Sequence, residues 1–405
     1  MKNLVLSMSG AILLAVQVNA QQPSVTVNSN TNASNTKNVS YSYTVNDVKN
    51  SVNVRYNDSG SNQDVKDDPM RSKTFSKSFT ADRNDKVNLS NQYGSITIKV
   101  WNKNEIKVDA DIKAYAKTED EAQKLLDDVE VTATKTGDLV TYKTSMGERN
   151  GNWGSSVRNG KTIWRREVKT HYIVYMPAAN ALTATQQYGN IIMDDFAGPT
   201  SIKVQYGNLT AGNLSNANNY ISIQYGKATV KDMGGARIKH QYGGGFTMGT
   251  VDDLDLDAQY TSVNVAAVKG SATVKHQYGS GTTIGQVGNL NVNTQYTTIK
   301  IGALHGNIVS KAQYGKVIVD EIDAGKSVAV NAQYTSVNLG FSANYNGDFE
   351  VRTNYGSFKY PSTVTVKRDG DDRSYSSSKN YTGQIGKGGA ATVNIDLQYN
   401  SVTFK

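Results

Sequence analysis

The sequence predicts an all-β fold, a single right-handed parallel β-solenoid, or β-helix, with coils of about 18 residues. Gln-Tyr followed by Gly or Thr recurs at nearly constant spacing, polar and apolar residues alternate around it, and a turn that often contains Gly closes each unit. The handedness follows the general preference of parallel crossovers. In the most regular stretch the tyrosines are Tyr188, Tyr206, Tyr225, Tyr242, Tyr260, Tyr278, Tyr296, Tyr314 and Tyr334.

The alternation around each tyrosine predicts which side chains face the core. Residues two and four before it are apolar or small, as in Ile202 and Val204, and apolar residues return three and five after it. Side chains along a strand alternate between its two faces. Tyr lies an even number of residues after the apolar positions that precede it, so it should face inward with them. Gln lies an odd number of residues after those positions, so it should face outward. We therefore expect a buried Tyr ladder and an outer Gln ladder, so that Tyr260→Ala costs about 3–5 kcal/mol.

Between Tyr242 and Tyr334 a second pattern is superimposed on the 18-residue repeat. The residue after Tyr alternates, being Gly after residues 242, 278 and 314 and Thr after residues 260, 296 and 334. Through most of this run the repeating unit is therefore a pair of coils, 36 residues long.

The beginning of the chain has the composition of a leader. Residues 1–20 have the features of a secretory signal peptide, with a basic Lys2, an apolar run over 4–16 and a small-residue cleavage site at 18–20. Residues 21–72 are rich in Asn, Ser and Thr, so we expect a low-complexity, largely disordered segment. Short alternating pieces at 39–45 and 52–56 are possible edge strands.

The predicted solenoid covers residues 73–405 and carries two interruptions. An insertion spans about 101–180 and contains a short helix, for which Thr118 and Glu121 form a capping box. We hypothesise that this helix covers the end of the solenoid, where unpaired strand edges invite aggregation. A loop excursion, either a hairpin or a loose loop, spans about 361–390. The coil of Tyr355 is expected to follow that of Tyr334, and the coil of Tyr399 to come last.

Composition excludes several kinds of site. The chain has no cysteine, which excludes disulfides, thiolate metal sites and lipid attachment through cysteine. The net charge is +8, with scattered lysines and one basic stretch at Lys161, Trp164, Arg165, Arg166 and Lys169. We interpret that stretch as a solvated face, with anionic glycan or lipid headgroups as the alternative. No segment of the mature chain is predicted to span a membrane, and nucleic acid is not an expected partner of an exported protein.

The titratable residues form no catalytic constellation. His240 and His276 occupy equivalent places two coils apart and are expected to be core residues beside the tyrosines, and His171 and His305 stand alone. Two acidic runs are alternatives for Ca²⁺ binding, although a solvated strand face is favoured for both. No catalytic, cofactor-binding or metal-binding residue is assigned, no cofactor is expected, and the binding residues are left open. The acidic runs are Asp252, Asp253, Asp255 and Asp257, and Asp320, Glu321 and Asp323.

The chain resembles the bacterial putative-adhesin family, an exported β-strand-repeat domain of unknown function. The resemblance rests on the motif at 91–96 (Asn-Gln-Tyr-Gly-Ser-Ile), the segment 118–126, the strand end Val-Tyr-Met-Pro at 174–177, and the repeated Gln-Tyr-Gly units. It covers residues 73–360 and implies a parallel β-solenoid in the cell envelope, either in the periplasm or at the cell surface or beyond.

We therefore expect a non-enzymatic, adhesin-like or scaffold protein that presents polar ladders to an extracellular glycan or an envelope protein. Two alternatives stay open. A polysaccharide-active β-helix enzyme would gather acids and bases in one groove. An envelope-associated sensor domain would act through a partner protein.

Overall fold

The computed structural model describes residues 26–31, 36–45, 48–57, 69–147, 153–158, 161–369 and 377–405. The chain divides into two compact units, Met1–Lys66 and Asp67–Lys405. The predicted signal peptide at 1–20 lies outside the described residues.

The first unit contains a three-stranded antiparallel sheet in the order β1-β2-β3. Its strands are β1 (Thr26–Thr31), β2 (Thr36–Val45) and β3 (Val48–Asn57). The possible edge strands at 39–45 and 52–56 fall within β2 and β3. The sheet therefore extends over residues that the sequence assigned mainly to a disordered leader.

The second unit is all-β, with one helix among its described residues. Its first part comprises β4 (Met70–Thr80), β5 (Lys86–Val100), β6 (Glu105–Tyr115), α1 (Glu119–Asp127), β7 (Val129–Thr136), β8 (Leu139–Met146), β9 (Gly154–Arg158) and β10 (Lys161–Met176). The array follows with β11 (Ala181–Met193), β12 (Thr200–Gln205), β13 (Leu209–Ala211), β14 (Asn219–Gln224), β15 (Lys227–Val230), β16 (Met233–Gln241), β17 (Gly245–Gln295), β18 (Thr298–Leu304), β19 (Ile308–Gln313), β20 (Lys316–Ile322), β21 (Val328–Gln333), β22 (Ser336–Phe341), β23 (Gly347–Lys359), β24 (Val364–Asp369), β25 (Ser378–Ile385) and β26 (Ala391–Phe404).

Strands of successive repeats pair in parallel through the array. Thr200 in β12 is in register with Leu182 in β11 and with Asn219 in β14, and the register continues through β16 and β17. The offset between paired residues equals the spacing of the tyrosines, so each Gln-Tyr motif lies beside the same motif in the next repeat. The long β17 includes the corners at Tyr260 and Tyr278, where φ is positive, and therefore covers more than one repeat.

The core contains the apolar residues that the alternation predicted to face inward. In the repeat of Tyr206, the side chains of Ile202 and Val204 before it and Leu209 and Ala211 after it are buried. Equivalent residues of the other repeats extend this into one continuous hydrophobic cluster. The prediction that these side chains face the core is therefore confirmed.

The insertion between the first two Gln-Tyr-Gly motifs covers the exposed edge of β5. One edge of β5 pairs with β11 of the next repeat over its full register. On the other edge β8 pairs in parallel with residues 86–90, and β10 pairs in parallel with residues 94–100. The hypothesis that the helix covers this end is wrong, because strands of the insertion satisfy the edge.

The structure shows one of the two hydrogen bonds of the predicted capping box, the one accepted by Thr118. Thr118 Oγ1 accepts a hydrogen bond of 3.2 Å from the backbone N–H of Glu121, and Ala122, Leu125 and Leu126 are buried on one face. The Glu121 carboxylate contacts Arg166 at 3.1 Å, on β10. At nine residues α1 is too short to cross a bilayer, and no helix in the described ranges is long and apolar enough to do so.

The C-terminal strands do not follow one another in chain order. Strand β26 lies between β21 and β22 on one side and β23 on the other. The expectation that the coil of Tyr355 follows that of Tyr334 is therefore wrong, since the repeat of Tyr399 separates them. The excursion at 361–390 contains the antiparallel pair β24–β25, and β25 also pairs with the outer edge of β23.

Candidate functional site: the tyrosine and glutamine ladders

The repeated tyrosines lie on the surface, which corrects the expected buried ladder. They are Tyr93, the nine tyrosines of the regular stretch, Tyr355 and Tyr399. All twelve have φ between 50° and 57°, in the left-handed region. A residue in this conformation interrupts the alternation of side chains between the two faces of a strand. A tyrosine that the alternation predicts to face inward therefore points outward at the corner. Nine of the twelve are exposed, Tyr260 by 48%.

The twelve rings form one continuous stack along the surface. Neighbouring centroids are 4.6–5.4 Å apart and the ring planes differ by 2–17°. Eleven steps near the strand spacing of about 4.8 Å give a row about 50 Å long. Each inner ring covers the faces of its neighbours, so the row presents ring edges and hydroxyl groups to solvent. Partial burial raises the pKa of Tyr334, and the neighbouring Tyr399 and Tyr314 raise it further.

The two ends of the row differ. At the first end the ring of Trp153 meets Tyr93 edge to face, with centroids 5.8 Å apart. At the other end Tyr355 stacks on Tyr399 at 5.1 Å and is 62% exposed, more than the tyrosines within the row.

The glutamines before the tyrosines form the outer ladder that the sequence predicted. The side-chain amide of one repeat donates to the side-chain carbonyl of the next, as from Gln187 to Gln205 at 2.9 Å and from Gln205 to Gln224 at 3.1 Å. The same contact links four further pairs at 3.2–3.4 Å. A primary amide has two N–H donors and two acceptor lone pairs, so each glutamine keeps polar capacity for a ligand.

The strand wall that carries these glutamines is here called the glutamine wall, and open hollows lie along it. One of 370 Å³ is lined by Gln92, Gln187, Gln205 and Gln224. A second of 440 Å³ is lined by Gln313 and Gln333, and a third of 240 Å³ by Gln333 and Gln398. The recurrence of hollows along the wall describes a surface suited to an extended ligand.

The glutamine wall also carries four lysines at a regular spacing, and Asp257 occupies the equivalent position in the repeat between Lys239 and Lys275. Lys203, Lys239, Lys275 and Lys311 are spaced 36 residues apart, each three residues before its tyrosine. Two strand spacings separate successive lysines by about 10 Å. Within the described ranges, none of the four has a carboxylate at ion-pair distance. We name these residues the lysine row.

The Gly and Thr corners fill the same space in different ways. A Cβ on Gly207 would lie 1.8 Å from the carbonyl oxygen of Gly189, so the backbones approach too closely for a side chain. At Thr corners the side chain is buried instead, and the hydroxyls of Thr261 and Thr297 donate to the carbonyls of Gly243 and Gly279 at 3.3 and 3.2 Å. The third threonine of the alternation differs, because Thr335 Oγ1 donates to the carbonyl of Gln333 at 2.8 Å and accepts from the N–H of Gly315 at 3.3 Å.

His240 and His276 lie in the core, as expected. Thr261 Oγ1 is 2.7 Å from His240 Nδ1, and Thr282 Oγ1 is 2.8 Å from His276 Nδ1. Burial lowers the pKa of both rings, that of His276 to about 4. Both are therefore neutral at pH 7. In register, Ala258 is the partner of His240 in the next repeat.

The other two histidines lie apart from one another. His171 Nδ1 is 2.9 Å from Ser95 Oγ, and burial lowers the pKa of its ring. His305 is exposed and contacts Asp323 at 2.8 Å.

Some members of the acidic and basic runs of the sequence form ion pairs. Asp252 contacts Lys269 at 2.9 Å and Asp320 contacts Lys300 at 3.3 Å, each across neighbouring repeats. In the basic stretch Arg165 contacts Glu167 at 2.6 Å, and its guanidinium lies 3.3 Å from the Tyr115 ring centroid. Asp253 and Asp255 of the acidic run also line one open hollow of 550 Å³ together with Arg237, which contacts Asp255 at 3.6 Å.

Sequence reasoning missed the lysine row. Its signal was present in the 36-residue period, because each lysine occupies the same position in alternate repeats. It also missed a group of three carboxylates at Asp82, Asp85 and Asp138, which are brought together only by the pairing of β5 with β8.

No protein-family model and no curated protein matches the chain. Solved structures with 10% sequence identity include a putative cell adhesion protein from Clostridium sporogenes (TM-score 0.16, covering 83% of this chain and 99% of that one). Another is a putative lipid binding protein from Parabacteroides distasonis (TM-score 0.26, covering 65% of this chain and 95% of that one). A third is a putative adhesin from Bacteroides fragilis (TM-score 0.18, covering 82% of this chain and 97% of that one). Likenesses this weak carry no argument about fold or function.

Proposed function

We propose that residues 73–405 form a right-handed parallel β-solenoid that acts as a non-enzymatic, adhesin-like scaffold of the bacterial cell envelope. Its binding surface is the glutamine wall, and its ligand is a linear anionic polysaccharide. The observation that carries this proposal is the lysine row, which repeats positive charge beside the glutamine ladder at every second repeat.

The chemistry of the wall supports a polymer rather than a compact ligand. The hollows are open and recur along the wall, whereas a small-molecule site is one enclosed cleft. Glutamine amides can pair with sugar hydroxyls, and ammonium groups can pair with carboxylates. A polysaccharide with one carboxylate per disaccharide carries charge at a spacing comparable to that of alternate repeats.

The tyrosine row contributes hydroxyl groups at the margin of this wall. The inner ring faces are covered by neighbouring tyrosines, so the row is suited to hydrogen bonding along its length rather than to stacking a sugar on each ring. The rigid stack also holds the adjoining glutamines in register. The proposed scaffold is thus pre-organised, which lowers the entropy cost of binding.

The proposal is tested by measuring binding of the full chain to a linear uronic-acid polysaccharide and to a neutral glucan of similar length. We expect the acidic polymer to bind and the neutral one to bind at least tenfold more weakly, on the order of 1.4 kcal/mol. The affinity should fall as salt rises, because exposed charges are screened.

A variant in which all four members of the lysine row become glutamine should lose at least about tenfold in affinity. A matched variant removes the same charge from four lysines outside the row. Equal loss in both variants, or equal binding of the neutral glucan, would contradict recognition by the lysine row. The matched lysines are Lys227, Lys231, Lys316 and Lys326.

A further inference from the structure

Three carboxylates meet where the insertion joins the first repeat. Asp82 and Asp85 lie in the turn between β4 and β5, and Asp138 lies in the turn between β7 and β8. One oxygen from each carboxylate lies within 4.8 Å of the others. The pairing of Lys86 with Leu139 brings the two turns together, and the N–H of Lys86 donates to the carbonyl of Asp138 at 2.7 Å.

The most buried of the three carboxylates has one unsatisfied oxygen. The Asp85 side chain is fully buried, and its Oδ2 accepts from Lys135 Nζ at 2.7 Å and from the N–H of Asp82 at 2.8 Å. Its Oδ1 is also buried and has no hydrogen-bond partner. A buried charged oxygen without a partner is costly, so this atom requires a positively charged or hydrogen-bonding ligand.

The charge at this place is also incompletely balanced. Three carboxylates carry three negative charges, and Lys135 supplies one positive charge. Its ammonium also donates to the carbonyl of Thr80 at 2.8 Å. One positive charge against three negative charges leaves two negative charges. A divalent cation would balance the remaining two charges.

We propose that Asp82, Asp85 and Asp138 bind one Ca²⁺ ion, with Asp85 Oδ1 as a ligand. Calcium takes oxygen ligands at about 2.3–2.6 Å in irregular geometry, so ligands on opposite sides of the ion are separated by at most about 5 Å. One oxygen from each carboxylate lies within 4.8 Å of the others, which is within this limit. Mg²⁺ fits less well because it requires near-octahedral geometry and shorter bonds.

The ion would join the insertion to the start of the array. Asp138 belongs to the β7–β8 hairpin, whereas Asp82 and Asp85 precede β5. Asn180 strengthens the same junction, because its side-chain amide donates to the carbonyls of Asp82 and Asp85 at 2.7 and 2.8 Å. Calcium therefore holds β8 against the otherwise open edge of β5.

The test is calorimetric titration of Ca²⁺ into the full chain after treatment with a chelator, followed by thermal unfolding with and without Ca²⁺. We expect one saturable site and a rise in Tm of at least about 2 °C at saturating Ca²⁺. Mg²⁺ should bind at least about tenfold more weakly. No heat of binding and no change in Tm for the unmodified chain would overturn the proposal.

Asp138→Asn is the decisive variant because Asp138 is exposed in a turn, so the substitution should leave the fold intact. It should weaken Ca²⁺ binding at least about tenfold and abolish the calcium-dependent rise in Tm. Asp127→Asn, which removes one charge from the exposed face of α1, is the matched control and should behave as the unmodified chain. Unchanged calcium affinity in Asp138→Asn would also overturn the proposal.

Discussion

The ring of Tyr260 lies flat against the ring of Tyr278, with centroids 4.9 Å apart and planes 8° apart. Both residues have left-handed backbone conformations, with φ of 52° and 53°. This conformation is unfavourable for a residue with a side chain, by about 1–2 kcal/mol. Contact with an aromatic neighbour on each face contributes about 0.5–1.5 kcal/mol per pair, which is enough to offset that strain.

Tyr260→Ala should therefore destabilise the chain by about 1–2 kcal/mol, below the 3–5 kcal/mol expected for a buried ring. Tyr260→Gly should be less destabilising than Tyr260→Ala by about 1 kcal/mol, because glycine adopts positive φ without strain. Denaturant unfolding measures both changes. Ser262 provides the control, since its φ is not positive. There the order should reverse, with Gly more destabilising than Ala.

Gly207→Ala should destabilise the array by at least about 3 kcal/mol, since the added Cβ would overlap the Gly189 carbonyl in a rigid backbone ladder. Gly325→Ala is the matched substitution at a position with no atom within 4 Å. Its cost should be about 1 kcal/mol, from the positive φ alone. Thermal unfolding compares the two variants. Similar losses in both would mean that close backbone approach does not explain the Gly corners.

The sequence was sufficient to predict what depends on simple alternation. The inward residues such as Ile202 and Val204, the glutamine ladder and the cap at Thr118 follow from local pattern. The direction of the tyrosines did not follow, because a polarity pattern does not reveal a left-handed residue that breaks alternation. Tyrosine is also an unusual residue for that conformation.

Contacts between distant segments were harder to predict than the repeats. The group of Asp82, Asp85 and Asp138 depends on a parallel pairing within an irregular insertion. Likewise, the position of Tyr399 between Tyr334 and Tyr355 depends on the hairpin that lets β26 return beside β22. Repeat spacing alone carries no information on such rearrangements of strand order.

Acidification should destabilise the chain through His276. Its pKa of about 4 lies below the ordinary value of 6.5, so between these values the unfolded chain binds a proton that the folded chain excludes. The stability present above pH 6.5 is therefore lost as pH falls towards 4, by up to about 3 kcal/mol. Urea unfolding across this range measures the slope. His276→Thr, which introduces the residue found at the equivalent Thr294, should reduce the slope, and an unchanged slope would contradict this role for His276.

The strand order at the C-terminal end can be tested by cross-linking, since the chain has no cysteine. Ser401 is in register with Ser357 on β23, and Val402 is in register with Val337 on β22, which places Ser336 beside Ser401. Cysteine pairs at 336 and 401, and at 357 and 401, should form disulfides under mild oxidation. A pair at 336 and 357 should not, because two strand spacings of about 10 Å exceed the Cα separation that a disulfide allows.

Non-reducing electrophoresis after proteolysis distinguishes these products. The order expected from sequence alone, with the repeat of Tyr355 next to that of Tyr334, makes the opposite prediction for the pair at 336 and 357. A disulfide between those two positions, with none between 336 and 401, would show that β26 does not lie between β22 and β23. If fewer of these disulfides form in denaturant, the observed pairs depend on the folded array.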